Sequence, residues 1–137
     1  MSEQASGELV RAYVEAFNAS DWSGLIGLLD GDVAYDPGEG GRQIGPRAFR
    51  DALAHRARFF RERMEDVVVF TAEGGTRAAI EFTLRGDYLS THDGLPEAEG
   101  QRYAVPAAQF FEIDDGRISR VTTYLDQAAL RAALAGR

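Results

Sequence analysis

The sequence predicts an α+β fold: three N-terminal helices packed on one face of a strongly curved antiparallel sheet, together enclosing a cone. Three observations lead there. Apolar residues recur at helical spacing in the first half of the chain and alternate with polar ones in the second, so helices precede strands. The long strand-like stretches of the second half follow one another through turn signals, as in a meander, with no helix between them. The 137 residues suit one domain and fall short of two, so the chain reads as a single unit over 1–137 with a core at about 7–135.

Leu9, Val10, Tyr13, Val14 and Phe17 define the first helix, with Ser6 as its expected N-cap. Asn18 to Asp21 interrupts it, and Asp21 caps a second, short helix through Trp22, Leu25, Ile26 and Leu29. Asp32 to Asp36 reads as a short strand that Pro37 ends, because proline cannot donate to a ladder. The glycine-rich stretch Gly38 to Gly45 is a loop. Pro46 suits the first turn of a third helix carrying Phe49, Leu53, Phe59 and Phe60. After Met64 the texture changes to strands at Val67–Thr71, Arg77–Leu89, Gln101–Ile113 and Ile118–Leu125, with turns at Glu73-Gly74-Gly75 and Asp114-Asp115-Gly116. Thr91 to Gly100 is a loop, and Asp126 caps a last helix reaching Ala135.

Composition removes several functions. The net charge of −7 argues against general affinity for nucleic acid or acidic lipid. All fifteen basic residues are arginine, which excludes a Schiff-base lysine. The absence of cysteine excludes thiol nucleophiles and thiolate metal sites. No apolar run reaches membrane-spanning length, and the polar N-terminus lacks the apolar core of a signal peptide, so a cytoplasmic protein is expected. Neither a dinucleotide fingerprint nor a phosphate loop is present, since the sixth position of a motif starting at Gly38 is Gln43 and lysine is missing. His55 and His92 lie far apart in sequence and match no ligand spacing, so neither metal nor cofactor is expected.

The candidate site residues follow from the strand faces. With Ala34 toward the helices, Asp36 shares its face, and an apolar cavity would raise its carboxyl toward the range of a general base. Tyr13 lies on the apolar face of the first helix, where a buried hydroxyl needs a partner that a ligand can supply. Arg85 and Asp87 share a face with Glu81, as a salt-bridged outer surface or as a guanidinium–carboxylate pair that polarises a substrate. Arg47 to Arg63 holds six arginines against Asp51 and Glu62, a solvated or subunit-facing cluster on one helix, which also carries His55. The expected pocket lining is Trp22, Phe82, Leu84, Tyr88, Ala108, Phe110, Val121, Thr123 and Leu125. Such a lining suits a small hydrophobic molecule with a carbonyl, phenol or hydroxyl.

Four stretches, YVEAFNASDW, DVAYDPGEG with IGPRAFR, EFTLRGDYLSTHDGLPEAEGQRY and FFEIDDGRISRVTTYLD, resemble the nuclear transport factor 2-like superfamily. The resemblance runs from about Leu9 to Leu134 and is to the SnoaL-like, ketosteroid isomerase-related branch. It implies the cone fold, a homodimer formed through the sheet's outer face, and Asp36 in AYDPGEG as a proton-shuttling base. It also implies Tyr13 in AYVEAF as a donor to an oxyanion. The family's second donor falls at Ala108, which has none to give, and loss of one such donor costs about 100- to 1,000-fold in rate. Epoxide hydrolases of the superfamily resemble the chain at Arg85 and Asp87, with their further aspartate falling at Thr123. Polyketide cyclases share the loop Gly94-Leu95-Pro96. The function expected is a cofactor-free acid–base enzyme of isomerase or cyclase type acting on a small hydrophobic carbonyl or phenolic ligand. A ligand carrier, a dimeric interaction module and an epoxide hydrolase-like enzyme are the alternatives.

Overall fold

The computed structural model describes residues 2–136. Its elements are α1 (Glu3–Asn18), α2 (Trp22–Ile26), β1 (Leu29–Asp36), β2 (Gln43–Ile44), α3 (Pro46–Ala57), β3 (Phe60–Ala72), β4 (Arg77–Tyr88), β5 (Arg102–Asp114), β6 (Arg117–Leu125) and α4 (Gln127–Leu134). The six strands form one sheet in the order β2-β1-β6-β5-β4-β3, with β2 and β3 as its free edges. The fold is α+β as the sequence indicates. The sheet is mixed rather than wholly antiparallel, because β1 runs parallel to β6. Val10 and Tyr13 of α1, Phe49 and Leu53 of α3, and Leu130 and Leu134 of α4 join the inner face of the sheet in one core.

Local chemistry explains the element ends. Ser2, not Ser6, caps α1: its Oγ accepts from the Ala5 N–H at 3.0 Å. Ser6 is buried one turn later and donates to the Gly75 carbonyl. Asp21 and Asp126 cap α2 and α4 by accepting from the N–H groups of Gly24 and Ala129, each at 2.9 Å. Helix α3 ends at Ala57 rather than continuing past Phe60. The run Phe60-Arg61-Glu62-Arg63-Met64 alternates and opens β3, with Phe60 and Met64 buried and Arg61 and Arg63 exposed. Arg61 and Arg63 therefore leave the helical arginine cluster expected from the sequence. At Asp66 (φ 54°) the strand bulges and its phase reverses, so that Val67 and Val69 pack on the core while Val68 and Phe70 are exposed.

Register decides which side chains face the helices. In β4, Ile80, Phe82 and Leu84 face inward, as expected. In β5, Phe82 pairs with Ala107 and Leu84 with Val105. Directly paired residues share a face, so Ala107, Gln109 and Phe111 point inward while Ala108 and Phe110 point outward, reversing the expectation for both. The sequence Gln109-Phe110-Phe111 offers two aromatics for one inward position, and the strand buries the second of them together with the glutamine. In β1, Tyr35 pairs with Val121 and Asp36 with Thr122, which puts Tyr35 inside and Asp36 outside.

Candidate functional site

Between α1, α3 and the inner face of the sheet lies a cavity of about 240 Å³. Its apolar lining includes Phe17, Leu53, Met64, Phe82, Leu84, Ala107 and Leu125. The polar side chains lining it are Tyr13, Tyr35, Gln109, Thr123, Arg56, Glu62, His55 and His92, with Glu39 and Gln127. A cavity of this size with a few polar groups suits a small ligand.

Tyr13 and Tyr35 have ring positions fixed by packing. Tyr13 meets Phe111 edge-on with centroids 5.1 Å apart, and Tyr35 stacks on Phe49 at 4.2 Å. Burial raises the Tyr13 hydroxyl well above its ordinary value; the nearby Tyr35 adds to the rise and the Gln109 amide partly offsets it. Burial likewise raises Tyr35, against smaller opposing effects of Arg56 and Thr123. Both hydroxyls therefore stay protonated and act as donors, not bases. Gln109 Nε2 donates to Thr123 Oγ1 at 2.9 Å, while the Gln109 carbonyl oxygen meets no donor among the described residues.

A charged network forms another part of the wall. Arg56 donates from Nε and Nη2 to the two carboxylate oxygens of Glu62, at 2.6 and 2.9 Å. The Tyr103 hydroxyl donates to Glu62 Oε2 at 2.7 Å. Burial, reinforced by Glu62, raises the Tyr103 hydroxyl well above its ordinary value. Arg56 also lies over the Phe60 ring, 4.5 Å from its centroid. Gly86 is what lets Tyr103 approach, since a Cβ there would run into the tyrosine ring and hydroxyl.

His55 and His92, distant in sequence, are neighbours in space with ring centroids 6.2 Å apart. Among the described residues no group of three metal-ligating side chains gathers around them. His92 Nδ1 lies 2.9 Å from the Asp93 carbonyl oxygen. A neutral imidazole in that contact carries its hydrogen on Nδ1, which leaves Nε2 as a proton acceptor. The loop bearing His92 is pinned by Tyr88. That hydroxyl accepts from the His92 N–H at 2.8 Å and donates to the Pro96 carbonyl at 2.7 Å.

Of the residues expected at the site, Tyr13, His55, Phe82, Leu84, Thr123 and Leu125 line the cavity. Tyr88 and Val121 are buried in the core without lining it, and Trp22 lines a neighbouring depression that shares Arg56 and Glu62 as a wall. Ala108 and Phe110 lie on the outer face. Asp36 is there too, accepting from Arg42 through both carboxylate oxygens at 2.7 and 2.9 Å and from Thr122 at 2.9 Å. The hydrogen bond from Arg42 lowers its carboxyl below the ordinary 3.8, outweighing slight burial, so the raised value expected of a cavity base is reversed. Arg85 and Asp87 are also outside, Arg85 paired with Glu65 at 2.6 Å and Asp87 near Arg102 and Arg61 at 3.7 and 4.0 Å. The sequence reading missed Tyr35, Arg56, Glu62, Gln109 and His92. The strand alternation Phe60-x-Glu62-x-Met64 is the signal that could have found Glu62; the others depend on register or on a loop path.

A profile of the SnoaL-like domain matches residues 10–121. A crystal structure of a candidate polyketide cyclase from Xanthomonas campestris pv. campestris is 40% identical, with a TM-score of 0.94 over 96% of this chain and 98% of that one. A nuclear transport factor 2-like protein from Burkholderia xenovorans LB400 is 19% identical, with a TM-score of 0.78 over 98% of both chains. An LEH-like epoxide hydrolase from M. tuberculosis is 20% identical, with a TM-score of 0.73 over 98% of this chain and 92% of that one. The last two likenesses speak to fold alone. No curated protein matches the sequence. No helix among the described residues is long and apolar enough to cross a membrane.

Proposed function

The chain belongs to the SnoaL-like domain family, and from that premise we propose that it is a cofactor-free acid–base enzyme of isomerase or cyclase type. Its substrate is a small hydrophobic carbonyl compound or the enol or phenol related to one. The observation that carries this reading is a single cavity, lined mainly by apolar side chains, that brings together tyrosine hydroxyls held protonated and a histidine with a free ring nitrogen.

In this reading His92 Nε2 removes a proton from the carbon beside the carbonyl. The C–H bonding pair becomes the C=C bond of an enolate, and the displaced π pair settles on oxygen. Tyr13 donates to that oxygen as its charge grows, and His92 returns the proton at a second carbon or leaves the enolate to attack another carbonyl. The 40% identical candidate polyketide cyclase supports the reaction class. The epoxide hydrolase-like alternative loses support because Arg85 and Asp87 lie outside the cavity. We retain the homodimer as part of the proposal: Phe110 and Tyr124, 46% and 60% exposed on the outer face, are the side chains a second copy would cover.

The test is proton exchange, which needs no knowledge of the natural substrate. Cyclic β,γ-enones and 1,3-diketones are incubated in D2O with the protein, and loss of the α-proton signal is followed by NMR. Exchange above the buffer rate is expected, abolished by His92→Gln and reduced roughly 100-fold by Tyr13→Phe. Asp36→Asn should leave it unchanged. Binding without exchange would make the protein a carrier.

A further inference from the structure

We infer that Tyr35 is a second hydrogen-bond donor to the ligand oxygen that Tyr13 meets. The inference rests on the acid–base reading above and adds to it the donor that position 108 lacks.

The argument begins with register. Because β1 lies parallel to β6 with Tyr35 opposite Val121, the Tyr35 ring is carried to the inner face and its neighbour Asp36 is turned away. Tyr35 and Tyr13 then line the same cavity from different elements, a strand and a helix. Each ring is held by an aromatic partner, Phe49 for Tyr35 and Phe111 for Tyr13, so neither hydroxyl must be immobilised when a ligand arrives.

The two hydroxyls also belong to one polar group. Gln109 lies beside Tyr13 and Thr123 beside Tyr35, and the Gln109 amide donates to Thr123 at 2.9 Å, which links the pair. Neither tyrosine hydroxyl donates to a protein acceptor within hydrogen-bond distance among the described residues, whereas Tyr88 and Tyr103 both do. Two donors with unspent hydrogens, fixed rings and a common cavity are what a developing oxyanion requires. They also set the substrate class: the oxygen bound there accepts two hydrogen bonds, as a ketone or enolate oxygen does and an ether in an apolar skeleton does poorly.

The carbonyl stretch of a bound enone tests this independently of turnover. 2-Cyclohexenone labelled with 13C at the carbonyl is bound to wild type, Tyr35→Phe, Tyr13→Phe and the double variant, and isotope-edited infrared spectra are compared. The wild-type band is expected at lower frequency than in hexane, each single variant should move it part of the way back, and the double variant should approach the hexane value. In the exchange assay Tyr35→Phe should lower kcat by about tenfold or more with little change in KM. A wild-type band shift that Tyr35→Phe leaves untouched overturns the inference and leaves the acid–base reading intact. A full band shift without exchange overturns the acid–base reading and keeps the donor pair. Failure of the enone to bind at all overturns both.

Discussion

Two carboxylates in this molecule are held in almost the same way on opposite faces of one sheet. Glu62 and Asp36 each take two hydrogen bonds from the Nε and Nη2 of a single arginine six residues away, at 2.6 and 2.9 Å for Arg56 and at 2.7 and 2.9 Å for Arg42. Each also accepts a hydroxyl, from Tyr103 at 2.7 Å and from Thr122 at 2.9 Å. The surroundings differ. Glu62 is 6% exposed beside the cavity and its arginine 37%, whereas Asp36 is 25% exposed and its arginine 52%. Hydrogen-bond geometry therefore cannot distinguish the two sites; the medium does. A charge pair shielded from water is strong but costly to desolvate, and a surface pair of the same shape is screened. The inner pair is part of the cavity wall and the outer pair fastens the glycine loop to the sheet.

The largest effect should come from breaking the inner pair. Glu62→Ala leaves Arg56 without its partner and Tyr103 without its acceptor, and should cost about 3 kcal/mol of stability. Urea denaturation with an unchanged m-value would check it. A loss below about 1 kcal/mol would mean that solvent reaches Arg56 freely and that the two pairs are energetically alike.

Gly86→Ala should come next, at about 2 kcal/mol, because the added methyl meets the Tyr103 ring and the Arg61 carbonyl oxygen at 2.8 Å. It sharpens the comparison because Tyr103 of β5 reaches Glu62 of β3 across Gly86 of β4, whereas Thr122 reaches Asp36 from the directly paired strand β6. The cost should fall when Tyr103 is first shortened to Leu. Equal costs in the two backgrounds would assign the whole effect to the backbone of β3 and β4.

This contrast also explains what could be read from the sequence. The helices, caps at Asp21 and Asp126, and the alternation of β4 were legible because they are local: a cap is read within a few residues and a strand face from its own period. The cavity side chains Phe82 and Leu84 followed from that. On the polar side Tyr13, His55 and Thr123 are legible, and most of the rest is not, because it depends on pairing. Whether Asp36 or Tyr35 faces inward is decided by the parallel register of β1 on β6, and a slip of one residue exchanges them. Gln109 broke the rule that places apolar residues inside, so its strand was assigned the wrong phase. Glu62 falls in the run Arg47 to Arg63 that the sequence reads as one arginine-rich helix, whereas the helix ends at Ala57 and β3 begins at Phe60. His55 and His92 meet only because the loop between β4 and β5 folds back over α3.

The smallest effect should belong to the outer pair. Asp36→Asn removes an ionic partner of a half-exposed arginine, and should cost less than about 1 kcal/mol at neutral pH. Its sign with pH follows from the direction of the shift. The folded protein holds the Asp36 carboxyl below the ordinary 3.8, chiefly through the hydrogen bond from Arg42, so folding favours the ionised form. That contribution is complete above the unfolded value and is lost as pH falls through the lower, folded one. Melting temperatures of wild type and Asp36→Asn should therefore differ by a constant amount from neutrality down to about pH 4 and converge below it. A gap that widens in acid would mean that Asp36 is protonated in the folded state, as a carboxyl inside the cavity would be. The outward register of β1 would then be wrong, and the two carboxylates would have to exchange roles.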